Sequence, residues 1–183
     1  SGRGFYFSQD QGSANLYANL SPGEGAPNIM PVYVALQNPY EMGALLPQDE
    51  AQSKLLTERL KAEGHDGIFV RGADGALDEI IAFRPNQIKS AIGNAGTFDP
   101  SDANILHQGP AGQLPDTITI DGVDRPTTNS TGKPIHPTEE GVRKFWEWFG
   151  GSKAVDKDGK PLVVYHGTTA DVSAFDPGFS GSD

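Results

Sequence analysis

Cysteine is absent from the 183 residues, so no disulfide framework, thiol nucleophile or thiolate metal site is open to this chain, and its stability must come from packing. Long apolar runs are absent too. None approaches a membrane span or the core of a secretory signal, so the chain reads as soluble, with the cytosol as the favoured compartment. Positive charge is scarce: 14 Lys and Arg stand against 24 Asp and Glu, a formal net charge of −10. That balance argues against general affinity for phosphate backbones, and nucleic acid is not the expected partner. No His has a companion at metal-ligand spacing and the carboxylates do not cluster, so no catalytic metal is expected. His65, His107 and His136 read as ordinary, partly exposed side chains. Hydrophobic content, 36%, is low, while 23 Gly and 14 Pro point to long loops around one core and hence to a single domain, 1–183.

Hydrophobic periodicity places the elements. Arg3 to Ser8 alternate aromatic and polar side chains as a short strand, and Gly2 and Gly4 leave backbone bare for a close approach. Ser8 or Asp10 can cap the helix that follows, near 10–19, which sets Ser13 and Tyr17 one turn apart on one face. Met30 to Leu36 read as a core strand that Asn38-Pro39 terminates. Residues 49–63 carry Leu55, Leu56 and Leu60 on one helical stripe with Gly64 just past its end. Gly67 to Val70 form a buried strand, Arg71 to Leu77 a Gly-rich hairpin turn, and Glu79 to Phe83 the next strand, with Glu79 at the rim of the sheet. Residues 108–135 read as a linker, in which only Thr117 to Val123 hint at a strand and turn. Helical spacing returns at 138–149, where Thr138 caps, Val142, Phe145, Trp146 and Phe149 share a face, and Gly150-Gly151 ends the helix. Lys160 to Thr169 is a buried strand that closes on His166 and Gly167.

Three of these strings carry a resemblance. Gly-x-Gly-x-Tyr6-Phe-Ser followed by Ser13-Ala-Asn-x-Tyr17, Glu79-Ile-Ile-Ala-Phe-Arg-Pro-Asn-Gln-Ile-Lys-Ser, and Tyr165-His166-Gly167-Thr168 resemble the motifs of the ADP-ribosyltransferase superfamily. The branch is the His-Tyr-Glu one, with diphtheria toxin and the poly-ADP-ribose polymerases, and the wider strings are similar to transferase modules of phage and prophage polyvalent proteins. The resemblance covers roughly 1–107 and 136–183. It implies an α+β fold, a split β-sandwich of two small, mainly antiparallel sheets with flanking helices and an NAD cleft. It further implies NAD as substrate with no metal, Tyr6, Glu79 and His166 as the catalytic set, and His166, Gly167, Thr168, Tyr6, Ser13 and Tyr17 as the NAD-binding residues. In that scheme Tyr6 and Tyr17 sandwich the nicotinamide, Ser13 and Gly167 hold its carboxamide, and His166 with Thr168 orients the far ribose; Arg3 is a weaker candidate for the pyrophosphate.

The family order is His, Tyr, Glu, whereas this chain runs Tyr6, Glu79, His166, which reads as a circular permutation. Residues 179–183 would join naturally to Ser1-Gly-Arg-Gly, and residues 108–135, reaching roughly 90 Å when extended, can connect the family's usual ends. The chain is then organised as a Tyr and Glu segment (1–107), a linker (108–135), and a helix with the His segment (136–183). A rival is a piece of a tandem array whose halves pair between copies as a domain-swapped dimer; closure within one monomer is favoured because each motif occurs once.

Cleavage of the nicotinamide–ribose bond creates an oxocarbenium-like sugar, which a carboxylate stabilises. The resemblance gives that role to Glu79, with Asp78 as the fallback. The expected activity is mono-ADP-ribosyl transfer to a macromolecular acceptor, a host protein, with release of nicotinamide, as a phage effector or toxin carried into a host cell within a larger protein. Leu77 stands where arginine-modifying relatives carry an acidic or amide residue, which speaks against an Arg acceptor. The alternatives are NAD glycohydrolysis and an inactive NAD-binding or protein-binding module.

Overall fold

The computed structural model describes residues 4–20, 28–43, 49–92 and 114–168. In chain order these form β1 (Phe5–Ser8), α1 (Gln11–Leu20), β2 (Asn28–Val34), β3 (Tyr40–Gly43), α2 (Glu50–Ala62), β4 (Gly67–Arg71), β5 (Leu77–Ala82), β6 (Ile88–Ser90), β7 (Thr117–Ile120), β8 (Val123–Pro126), α3 (Glu139–Phe149) and β9 (Val164–Thr168). The class is mixed α+β. Seven strands make one sheet in the order β3-β4-β5-β1-β9-β2-β6, while β7 and β8 pair apart as a hairpin. Within the large sheet only β3 and β4 run parallel. One large sheet thus stands where two small ones are expected, and the junction at β1 and β9 is why. There Ser8 opposite Tyr165 is the single registered pair, against four pairs between β1 and β5 and five between β2 and β9.

Helix boundaries follow local chemistry. Asp49 caps α2 by accepting from the Ala51 N–H, and Gly64 past its end takes φ 89°, a conformation that glycine adopts without strain. The side chains that α2 buries are Ser53, Leu56, Thr57 and Leu60 at helical spacing, whereas Leu55 points to solvent. Thr138 caps α3 through the Gly141 N–H, as its position before two Glu predicts. Gly150 ends α3 at φ 56°.

The main core joins segments far apart in sequence: Phe5, Phe7, Val32, Ile80 and Val164 from the sheet meet Val142, Phe145, Trp146 and Phe149 of α3. A second apolar cluster, Leu60, Ile68, Val70, Ile81 and Phe83, lies where α2 meets β4 and β5. Residues 114–135 are packed in, with Ile118 and Ile135 in the main core. Asn129 donates to the Tyr33 hydroxyl at 2.9 Å, and burial pushes that phenol up to about 12. His136 is buried rather than partly exposed, because Gly141 has no Cβ to fill the space its ring occupies. Burial holds its pKa below the usual histidine value.

β3 is an element that the Pro39 stop signal hides: the chain does leave its strand before Asn38-Pro39, then re-enters the sheet at Tyr40 beside β4. No helix among the described residues is long and apolar enough to cross a membrane, which says nothing of strands. Arg3, His107 and both chain ends lie outside the described residues.

Candidate active site

The three motif strands, distant in sequence, are neighbours at the centre of the sheet: β5 carries Glu79, β1 carries Tyr6 and β9 carries His166. Register sets their faces, since residues opposite each other in a ladder project to the same side. Ser8 is opposite Glu79 and Tyr6 opposite Ile81, so Tyr6, Ser8, Glu79 and Ile81 share one face while Phe7 and Ile80 share the other. Tyr6 is half-buried and packs against the α2-side cluster that contains Ile81 and Phe83. Gly4 is bare because Ile81 approaches it: a Cβ there would come within 2.5 Å of the Ile81 Cγ2.

Glu79 is the third residue of β5, not its first, since Leu77 also pairs with the preceding strand. The cause is a bulge: Val70 pairs with Glu79 and Arg71 with Leu77, which leaves Asp78 as the extra residue. The bulge separates the two carboxylates. Asp78 is exposed and its Oδ2 lies over Gly72, 2.6 Å from where a Cβ would stand, whereas Glu79 is half-buried. Burial, with the charge of Asp78 adding to it, raises the Glu79 carboxyl to about 7. Leu77 is half-buried and packs against the main core.

His166 sits in the seam between β1 and β9, and because Tyr165 is the residue registered against Ser8, the ladder sets His166 on the Phe7 face and not on the face that Tyr6 and Glu79 share. Its ring lies 5.5 Å from that of Phe7, and its Nδ1 is 2.9 Å from the Tyr6 carbonyl oxygen. A carbonyl only accepts, so Nδ1 carries the proton and Nε2 is the acceptor nitrogen of a neutral ring. Burial supports that state by lowering the His166 pKa, against the raising effect of the Tyr6 bond.

Gly167 is the contact point for α1. A Cβ at Gly167 would overlap the carbonyl oxygen of Ala14 and come within 2.9 Å of the Ala18 nitrogen, so α1 rests on the backbone of β9. Ala14 and Ala18, small and buried, permit this approach. Asp10 caps the helix: its Oδ2 accepts from the Ser13 N–H at 2.7 Å and from the Ser13 hydroxyl at 2.8 Å. The Ser13 hydroxyl is therefore turned to the cap. Tyr17 falls on α1 with its side chain outside the described residues, and Thr168 is half-buried at the end of β9, opposite Asn28. Among the described residues no group of three His, Asp or Glu side chains could hold a metal. What the motif reading treats as a helix cap alone is Ser8, which is buried between the Glu79 and His166 strands; only its place two residues after Tyr6 could have signalled this.

The chain belongs to the family described as ADP-Ribosyltransferase in polyvalent proteins, whose model matches residues 1–98. It is thus a transferase of the ADP-ribosyl kind by family, and that family's substrate is NAD. The match contains Tyr6, Ser13, Tyr17 and Glu79, while His166, Gly167 and Thr168 lie beyond it. No curated protein and no solved structure matches the chain.

Proposed function

We propose that the chain is a mono-ADP-ribosyltransferase that cleaves NAD, releases nicotinamide and passes ADP-ribose to a protein acceptor. The observation that carries this reading is the shared face of Tyr6 and Glu79 on adjacent strands, with the His166 strand next to them, in a chain whose family is one of ADP-ribosyltransferases. The bond that breaks joins the nicotinamide nitrogen to the ribose, and its electron pair leaves with the nicotinamide. The sugar carbon then takes an electron pair from the acceptor, which gives up a proton. Glu79, ionised, stabilises the sugar cation between those events, so its contribution belongs to the transition state. Tyr6 stacks on the nicotinamide together with Tyr17. Ser13 and Gly167 meet the carboxamide, and Nε2 of a neutral His166 accepts from a ribose hydroxyl, with Thr168 beside it.

The strand order supports a single permuted domain, because β9 arrives from the far end of the chain and lies between β1 and β2. The one-pair junction at Ser8 and Tyr165 supports reading the sheet as the two halves of a split sandwich. Water as acceptor, making the protein an NAD glycohydrolase, is the second reading; it is favoured by Leu77, which is half-buried against the core and offers no polar group to orient an acceptor.

The test is nicotinamide release from NAD with and without host lysate, followed by mass spectrometry of the lysate proteins. Release with ADP-ribosylated protein supports the transferase, and release without any adduct supports the glycohydrolase. Binding of NAD with no release that Glu79→Gln abolishes would overturn both in favour of an inactive module.

A further inference from the structure

We infer that Ser8 is a positioning residue for Glu79, tying the peptide that carries the carboxylate to the start of α1. This deepens the transferase reading and rests on it.

Ser8 is buried and stands opposite Glu79 on one side and Tyr165 on the other, at the one registered pair of the β1/β9 junction. Its hydroxyl is engaged in two directions. The O–H donates to the carbonyl oxygen of Asp78, the bulged residue, at 3.4 Å, and the oxygen accepts from the Asp10 N–H at 3.1 Å. A bulge breaks the ladder and leaves its extra residue without a strand partner, so the direction of the next side chain depends on what restrains the bulged peptide. Ser8 supplies such a restraint from the adjacent strand. The acceptor side of the same hydroxyl holds Asp10, whose carboxylate caps α1 through the Ser13 N–H. One hydroxyl therefore links the Glu79 peptide to the helix that carries Ser13 and Tyr17, the carboxylate that meets the sugar cation to the residues that meet the nicotinamide. A misplacement of about 1 Å in such a constellation costs up to roughly 10²-fold in rate.

The experiment compares native chain, Ser8→Ala and Ser8→Thr by three measurements: amide hydrogen exchange over residues 77–80, NAD affinity by calorimetry, and the rate of nicotinamide release at saturating NAD. The expected result for Ser8→Ala is faster exchange over 77–80, turnover lower by about 10- to 100-fold, and NAD affinity within a factor of about two, with Ser8→Thr restoring exchange and turnover. Unchanged exchange in Ser8→Ala would overturn the tie, and faster exchange with native turnover would overturn its bearing on catalysis. Turnover, affinity and thermal midpoint falling together, without rescue by Ser8→Thr, would reduce Ser8 to ordinary packing. If the native chain releases no nicotinamide at all, the transferase reading is what fails, and the exchange comparison still decides whether Ser8 holds the Glu79 peptide.

Discussion

Glu79 and Asp78, adjacent in sequence, do different things because one is a ladder residue and the other a bulge. The buried member has its pKa raised from 4.5 to about 7 by desolvation first and by the Asp78 charge second. Its ionisation therefore opposes folding. Between pH 4.5 and about 7 the native state binds more protons at this site than the unfolded state, so stability falls as pH rises through that window. The difference is on the order of 2 kcal/mol after allowance for partial exposure. The proposed transferase chemistry needs the ionised form of Glu79, so nicotinamide release should rise across the same window, with a midpoint near 7. Glu79→Gln should lower turnover by about 10²-fold or more at pH 8 with little change in NAD affinity. It should also remove the Glu79 contribution to the pH dependence of stability. His166 and His136, both with lowered pKa values, act in the opposite sense below the ordinary histidine range, where protonating them destabilises the fold. The Glu79 contribution is accordingly read as the difference between native and variant in denaturant midpoints measured from pH 4.5 to 8. A variant with the native pH profile of stability would show that Glu79 is not the group that titrates.

Among the elements, those with local punctuation were legible in the sequence and those defined by distant partners were not. The helices α2 and α3 begin at Asp49 and Thr138 because each side chain caps its own first turn, and those signals lie within a few residues. Thr138→Ala should cost about 1 kcal/mol in chemical denaturation, and more if the His136 ring, which bonds the same hydroxyl, is set loose. β3 has no such local mark: four residues pair parallel with β4, a partner that periodicity does not reveal. The bulge at Asp78 was equally hidden, being a property of two strands in register. Leu55, assigned to the buried stripe of α2 by its apolar character, is exposed because the stripe runs through Ser53 and Thr57 instead. Gly167 was visible as a motif glycine, but its contact with α1 was not. That contact makes a prediction at this scale. Gly167→Ala should push α1 off β9, costing about 1–3 kcal/mol as overpacking does and weakening NAD binding, since Ser13 and Tyr17 travel with the helix. Thermal melts and calorimetry on one preparation test this; native stability with native NAD affinity would mean that α1 accommodates the methyl without moving.

For the molecule as a whole, the order of motifs along the chain and the order of strands in the sheet disagree, and β9 is where they are reconciled. Residues 114–168 close the main core through α3 and fill the gap between β1 and β2 with β9. They are also anchored on β2 and the loop after it, where the Ser152 hydroxyl accepts from the Leu36 N–H at 2.9 Å and Lys153 N–H donates to the Leu36 carbonyl at 2.7 Å. The apolar faces of these residues could be read from spacing, but their destination between two specific strands could not, because nothing local to residues 164–168 names β1 and β2. If β9 closes within its own chain, the proposed site takes Glu79 and His166 from one copy, and a mixture of Glu79→Gln with His166→Ala copies holds no complete site. Exchange of β9 between copies would instead pair an intact Glu79 with an intact His166 in mixed dimers. The expected outcome is a monomer by light scattering and no gain in nicotinamide release when the two variants are unfolded together and refolded as a mixture. Release that climbs well above the sum of the separately refolded variants, with a dimer in the same sample, would assign the His strand to a neighbouring copy.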